Sequence, residues 1–272
     1  MKATRKLIPA IAMLLISAVM MSTASFAWFS TNTTASADGF KVQISSATTI
    51  LIKDVAEDDS EYATTQTYSS TNLAMSPASA NKPENATDGN IAVPVFYKVD
   101  SAGDILPSNG AFIAGTGSGK TSFVTTTTDY ITQTVNLRAT GDGTDLGKLN
   151  LTITALPSAA ADSINESLRV MVAVKNGNNV TWYLYAPFGG TAIKPVIGYD
   201  ASTGAQTTEE EVSLTANGAT EIIAAVAPET EYTVTFYIWF EGQDPTCYAN
   251  NAINLEDVEL GFDFTIVPKN NA

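Results

Sequence analysis

The segment Tyr232–Phe240 reads YTVTFYIWF, alternating apolar and polar residues at first and then running apolar without a break. β-Branched and aromatic side chains at this density suit a pleated, half-buried surface and crowd the turns of a helix. The same period of two recurs in Phe40 to Ile44, Leu149 to Thr154, Leu168 to Val174 and Val180 to Tyr185. Shorter apolar runs at Ile50 to Ile52, Ile91 to Val99, Tyr130 to Arg138, Val212 to Leu214, Glu221 to Val226 and Val258 to Val267 fit buried strands. Clusters of Gly, Asn, Asp, Ser and Pro separate these segments, and Lys175-Asn176-Gly177-Asn178-Asn179 has the composition of a hairpin turn. Helical periodicity is nearly absent, with one short candidate around Asp162 to Glu166. About ten strands without intervening helices predict an all-β fold, an antiparallel β-sandwich of two packed sheets with jelly-roll connections.

The first 27 residues stand apart from this pattern. Lys2, Arg5 and Lys6 precede an apolar run that ends in small residues, the layout of a secretory signal peptide forming a helix. Ser25 and Ala27 occupy the small-x-small positions, which places cleavage between Ala27 and Trp28. The expected organisation is a signal peptide at 1–27, an extended N-terminal segment at 28–39 and a single sandwich domain at 40–272. Long loops are expected near 57–90 and 101–128, where Ser, Thr, Ala, Asn and Gly dominate.

Charge and rare residues narrow the chemistry. The formal net charge is −14, and loss of the cationic leader makes the mature chain more acidic still. Such a surface repels phosphate backbones, which argues against nucleic-acid partners. The chain has no histidine and one cysteine, Cys247. Ser-His-Asp and Cys-His catalysis and histidine-bearing zinc sites are therefore excluded, and no internal disulfide can form. Cys247 is left as a small buried residue beside Pro245 or as a thiol able to bridge two subunits.

Ala114 to Thr121 reads AGTGSGKT, a relaxed form of the phosphate-binding loop. That loop works only between a buried strand and a helix whose first N–H groups face the phosphates. Here Pro107-Ser108-Asn109-Gly110 leaves room for only Ala111-Phe112-Ile113 before it, and Thr125 to Thr128 follow it as poor helix formers. A flexible surface loop is expected, with neither nucleotide nor other cofactor.

The order Ser25-Phe26-Ala27-Trp28-Phe29-Ser30, then Thr31-Asn32-Thr33-Thr34, then Gly39 and a strand resembles the signal and mature start of the TasA and camelysin proteins. These are fibre subunits of Gram-positive biofilm matrices, processed by a dedicated signal peptidase. A second stretch, Tyr237-Ile238-Trp239-Phe240-Glu241-Gly242-Gln243-Asp244-Pro245-Thr246-Cys247, resembles a segment of secreted clostridial-type proteins bearing the same kind of signal. The resemblance covers the two ends of the chain. It implies a jelly-roll subunit that donates its N-terminal segment, Trp28 to about Ala37, to an open sheet edge of the next copy, with Trp28 and Phe29 as anchors.

Other constellations have simpler explanations. Glu57-Asp58-Asp59-Ser60-Glu61 offers carboxylates suited to calcium without the spacing of a calcium loop. Gly141-Asp142-Gly143-Thr144-Asp145-Leu146-Gly147 fits a hairpin turn. Glu241 and Asp244 are too close in sequence to define a glycosidase pair, and Asp244-Pro245 suits a chain reversal. Trp182 alternates with Tyr183 and Tyr185, so one set belongs to the core while the other is a candidate sugar-binding face. The sequence thus points to a secreted, extracellular or cell-surface structural protein of non-enzymatic character that self-associates into a homopolymer. The alternative is a carbohydrate-binding or adhesive module with a glycan partner.

Overall fold

The computed structural model describes residues 35–37, 40–46, 50–55, 61–70, 73–99, 103, 105, 125–156, 164–189, 196–199, 206–208, 213–248 and 259–269. The chain divides into units Met1–Thr34 and Ala35–Ala272, and every described residue belongs to the second. In chain order its strands are β1 (Ala35–Ala37), β2 (Phe40–Ser46), β3 (Ile50–Asp54), β4 (Thr65–Ser70), β5 (Leu73–Met75), β6 (Ala78–Ala80), β7 (Phe96–Lys98), β8 (Thr125–Thr126) and β9 (Ile131–Ala139). They continue with β10 (Lys148–Leu156), β11 (Leu168–Asn176), β12 (Asn179–Tyr185), β13 (Val196–Tyr199), β14 (Gln206–Thr208), β15 (Thr220–Ile223), β16 (Glu231–Phe240) and β17 (Glu259–Val267). Among the described residues the helical elements are a 3-10 turn at Ile164–Ser167, close to the sequence expectation, and one α-turn at Pro245–Tyr248.

Two five-stranded sheets form the sandwich, in the orders β15-β10-β17-β2-β4 and β12-β11-β16-β9-β3. Their inner faces share one apolar core. The first sheet contributes Ile44, Leu149, Leu151, Leu260, Phe262 and Phe264, and the second contributes Leu137, Val170, Val172, Val234, Phe236 and Ile238. Rings meet directly across the interface, Phe236 lying 4.3 Å from Phe262. The expected sandwich is therefore present, and its pairs are antiparallel except one, because β17 runs parallel to β2. Parallel neighbours need a long connection, and here nearly the whole domain supplies it.

The second sheet is also covered on its outer face, where Met171, Ala173, Val180, Trp182, Leu184, Tyr237 and Trp239 pack against Ala78, Ala80 and Phe96. Those three residues come from a third, small sheet of order β6-β7-β8. Phe96 stacks on Tyr130 at 3.9 Å and meets Trp239 edge-on at 5.4 Å. This explains why Phe236 to Phe240 is apolar at every position: the strand has no solvent side there. Towards its start the same outer face is polar, with Thr134 and Thr235 hydroxyls 3.1 Å apart and Thr233 donating to Asn136 at 3.0 Å.

Several expectations are corrected by these elements. The stretch near 57–90 is not one long loop, since it holds β4, β5 and β6. It was opaque in sequence because TQTYSS, LAM and ASA lack apolar alternation. Of Ile91 to Val99, the ladder takes only Phe96–Lys98, and Ser213-Leu214 is not a strand. The Gly141 to Gly147 turn does not close a hairpin: it carries the chain from β9 in one sheet to β10 in the other. Gly147 has φ +120°, and any side chain there would collide with the Val267 carbonyl. The β11–β12 hairpin is present, ending at the Asn176↔Asn179 pair, so its two central residues are Gly177 and Asn178. Gly177 has φ 58°, as a primed turn with glycine first demands.

Phe236 bridges both sheets, so Phe236→Ala should lower unfolding free energy by about 3–5 kcal/mol. Urea denaturation of the two proteins measures the difference.

Candidate functional site

Two regions gather the features singled out in the sequence. One is the N-terminal ribbon. β1 pairs with β5 through Ala35↔Met75, Ser36↔Ala74 and Ala37↔Leu73, and β2 pairs with β4 from Phe40↔Ser70 to Ser45↔Thr65. Both ladders keep the same register, so over their described residues β1 and β2 face β5 and β4 as one antiparallel ribbon, from the small β1–β5 pair to the first sheet. Pro77 follows it, where a backbone N–H would be needed to extend the pairing. The sequence expectation treated Ala35 to Ala37 as donor segment, but these residues are already paired within their own chain. Ala27, Trp28 and Phe29, the expected cleavage and anchor residues, lie outside the described residues, as does Ala114 to Thr121.

The other region is a polar knot at the end of β16, built largely by the segment Trp239 to Cys247. Arg169 stands opposite Trp239 in the β11–β16 ladder and is fully buried. A charge there needs a partner. Its Nη2 pairs with Asp244 Oδ2, and Nη1 donates to the carbonyls of Glu166 at 2.7 Å and Leu168 at 3.0 Å. Asp244 also caps the α-turn that follows: Oδ1 accepts from the Thr246 amide at 3.0 Å and hydroxyl at 2.7 Å. Asp at the cap with Pro245 first in the helical turn is a favourable local arrangement, because proline lacks the N–H that would need a partner there. Burial alone would raise the Asp244 pKa, but the Thr246 bonds and the Arg169 charge outweigh it and hold the carboxyl below its ordinary value.

Glu241 is 1% exposed. Its Oε2 accepts from Trp239 Nε1 at 3.1 Å and its Oε1 accepts from the Gln243 amide at 3.1 Å. Among the described residues no lysine or arginine pairs with it directly. Burial therefore prevails and pushes its pKa up, against these bonds and the more distant Arg169 charge. The same residues fasten the third layer to the sandwich. Glu241 bridges to Ala78, the Gly242 amide donates to the Ala78 carbonyl at 2.8 Å, and the Ser79 hydroxyl donates to Gln243 Oε1 at 3.1 Å.

Cys247 sits in the α-turn, buried, and its thiol is pushed up to about 12 by burial despite a bond from Ser167. This agrees with the expectation of burial beside Pro245 and removes the thiol from subunit bridging in the folded chain. Glu241 and Asp244 do not face each other across an opening, so they give no acid–base pair for a bound sugar. Trp182 is 3% exposed under the third layer, while Tyr185 belongs to the inner core and Tyr183 packs against that core half-buried. Trp182 and Tyr185 thus serve two cores, one on each side of β12. Glu57 to Ser60 lie outside the described residues, and among the described residues no cluster of carboxylates or Cys is arranged to hold a metal.

Arg169, Ser79 and Ser167 escaped the sequence reading. The signal for Arg169 was present, since one arginine in the apolar strand LRVMVAV requires a buried anion. Ser79 gave none. No family model, curated protein or solved structure matches the chain.

Two outcomes follow from the knot. Cys247 should resist a thiol reagent in the native protein and react fully once urea unfolds it, as followed by mass spectrometry. Because the folded Glu241 pKa is raised, its contribution to stability is complete below the ordinary carboxylate range and is lost as pH rises through the raised value. Glu241→Gln, which cannot ionise, should therefore lose less stability than the wild type on going from about pH 4 to about pH 8. Urea midpoints at the two pH values test this.

Proposed function

We propose that the chain is a secreted structural subunit that assembles through the segment preceding its N-terminal ribbon. The observation that carries this reading is the position of that ribbon. β2 lies inside the first sheet, between β17 and β4, and β1, paired with β5, begins at Ala35, immediately after Trp28 to Thr34 in the sequence. Because β1 is paired with β5 and β2 with both β17 and β4, donating the segment before Ala35 would break none of these ladders.

The sheet edges support the same reading. The β12 edge is capped by its own chain: Ala86 exchanges backbone bonds with Val180, the Asn85 side chain accepts from the Trp182 amide, and Thr215 bonds to Leu184. The β3 edge is bridged by Ala63 at Ile52. β15 and β4 form the rims of the first sheet, and strand addition at such a rim satisfies backbone groups of both partners. Export by a signal peptide ending at Ala27 and an apolar grip by Trp28 and Phe29 complete the proposal.

Electron microscopy of the exported protein, with its N-terminus established by mass spectrometry, tests it. Filaments are expected from the chain beginning at Trp28. Deletion of Trp28 to Thr34, sparing β1, should leave a folded monomer with an unchanged circular dichroism spectrum. Filaments that persist after this deletion would defeat the mechanism.

A further inference from the structure

We infer that this domain is built to bear tension between its N-terminal ribbon and its C-terminal strand, with the β2–β17 pair as the mechanical clamp. The two strands are direct neighbours and run parallel, in unbroken register from Glu259↔Lys41 to Phe264↔Ser46. The chain enters β2 at the Lys41 end of this ladder and leaves β17 beyond its Phe264 end. Pulling the described domain by its two ends therefore drags β2 one way along the strand axis and β17 the other.

Load in that direction shears the ladder. Hydrogen bonds in a parallel pair are evenly spaced, so a force along the strands is shared among them and they must fail together. A force applied to both strands at one end would open them one pair at a time. Slippage offers no easy escape. A shift of one residue would turn Ile44 on β2, or Leu260, Phe262 and Phe264 on β17, from the core to the outer face, and all four are fully buried.

The neighbours reinforce both arms. β17 is held on its other side by β10 through nine pairs, Lys148↔Val267 to Leu156↔Glu259, and β2 is held by β4 through six. Beyond the sheet, β1 adds three pairs with β5 on the N-terminal arm. At the other exit Lys269 Nζ pairs with Asp145 at 3.1 Å. The second sheet, by contrast, has neither end strand of the domain and lies outside the direct line of load. With no disulfide to tie the ends, this ladder is the feature that resists their separation.

The inference does not rest on filament assembly, because it concerns one molecule. Single-molecule force spectroscopy on the full mature chain compares two attachments: N-terminus with C-terminus, and N-terminus with a cysteine introduced by Glu259→Cys. The second pair of handles sits at one end of the β2–β17 ladder and unzips it. The buried Cys247 does not compete for the handle. End-to-end pulling should require a several-fold higher unfolding force than the unzipping geometry. Equal forces in the two geometries would overturn the clamp, as would a lower end-to-end force. If Glu259→Cys does not fold, by circular dichroism, Ser46→Cys pulled against the C-terminus opens the same ladder from its Phe264 end and has the same two outcomes.

Discussion

Phe236 to Phe240 has no solvent side, and this double burial organises the molecule. On one face Phe236, Ile238 and Phe240 join the core between the two large sheets. On the other, Tyr237 and Trp239 carry the third layer. A chain with one cysteine has no internal disulfide to limit its unfolded state, so its stability must come from apolar area removed from water. A sandwich covered on one outer face obtains more such area than two sheets alone. The polar knot then solves the problem created where the strand ends, by pairing the charges and backbone groups that this coverage would otherwise strand away from water.

The large sheets were legible because their strands alternate or run apolar: the expected segments at Phe40, Leu149, Leu168, Val180 and Tyr232 all became ladder strands. The third layer was not. Ala78–Ala80 and Thr125–Thr126 are short, and their residues carry no period; they are strands because a neighbouring apolar face and a bonding partner are there to receive them. Ribbon strand β4, TQTYSS, was hidden for a related reason, since its polarity suits the rim of a sheet and also suits a loop.

The knot was half visible. Asp244-Pro245 announced a turn and Cys247 announced burial, and both stand in the structure. What joined them could not be read locally, because Arg169 and Ser79 come from distant parts of the chain and meet Glu241 and Asp244 only after three layers have stacked. The arrangement also separates two carboxylates that lie three residues apart into different electrostatic roles. Asp244 is held ionised by a cation and a helical cap, whereas Glu241 has neutral donors and is pushed towards its protonated form.

The pairing of β2 with β17 joins the first long strand of the domain to the last. Contacts so far apart along the chain are slow to form, because closing so large a loop costs entropy before any bond repays it. A polypeptide emerging from its N-terminus can build the β2–β4 ribbon early, but the flank of β2 that faces β17 must wait for the final strand. Completion of the first sheet therefore waits until the chain has been delivered through β17, and a copy truncated before Glu259 would present two unpaired strand edges, on β2 and β10, to whatever protease or neighbouring chain it meets first.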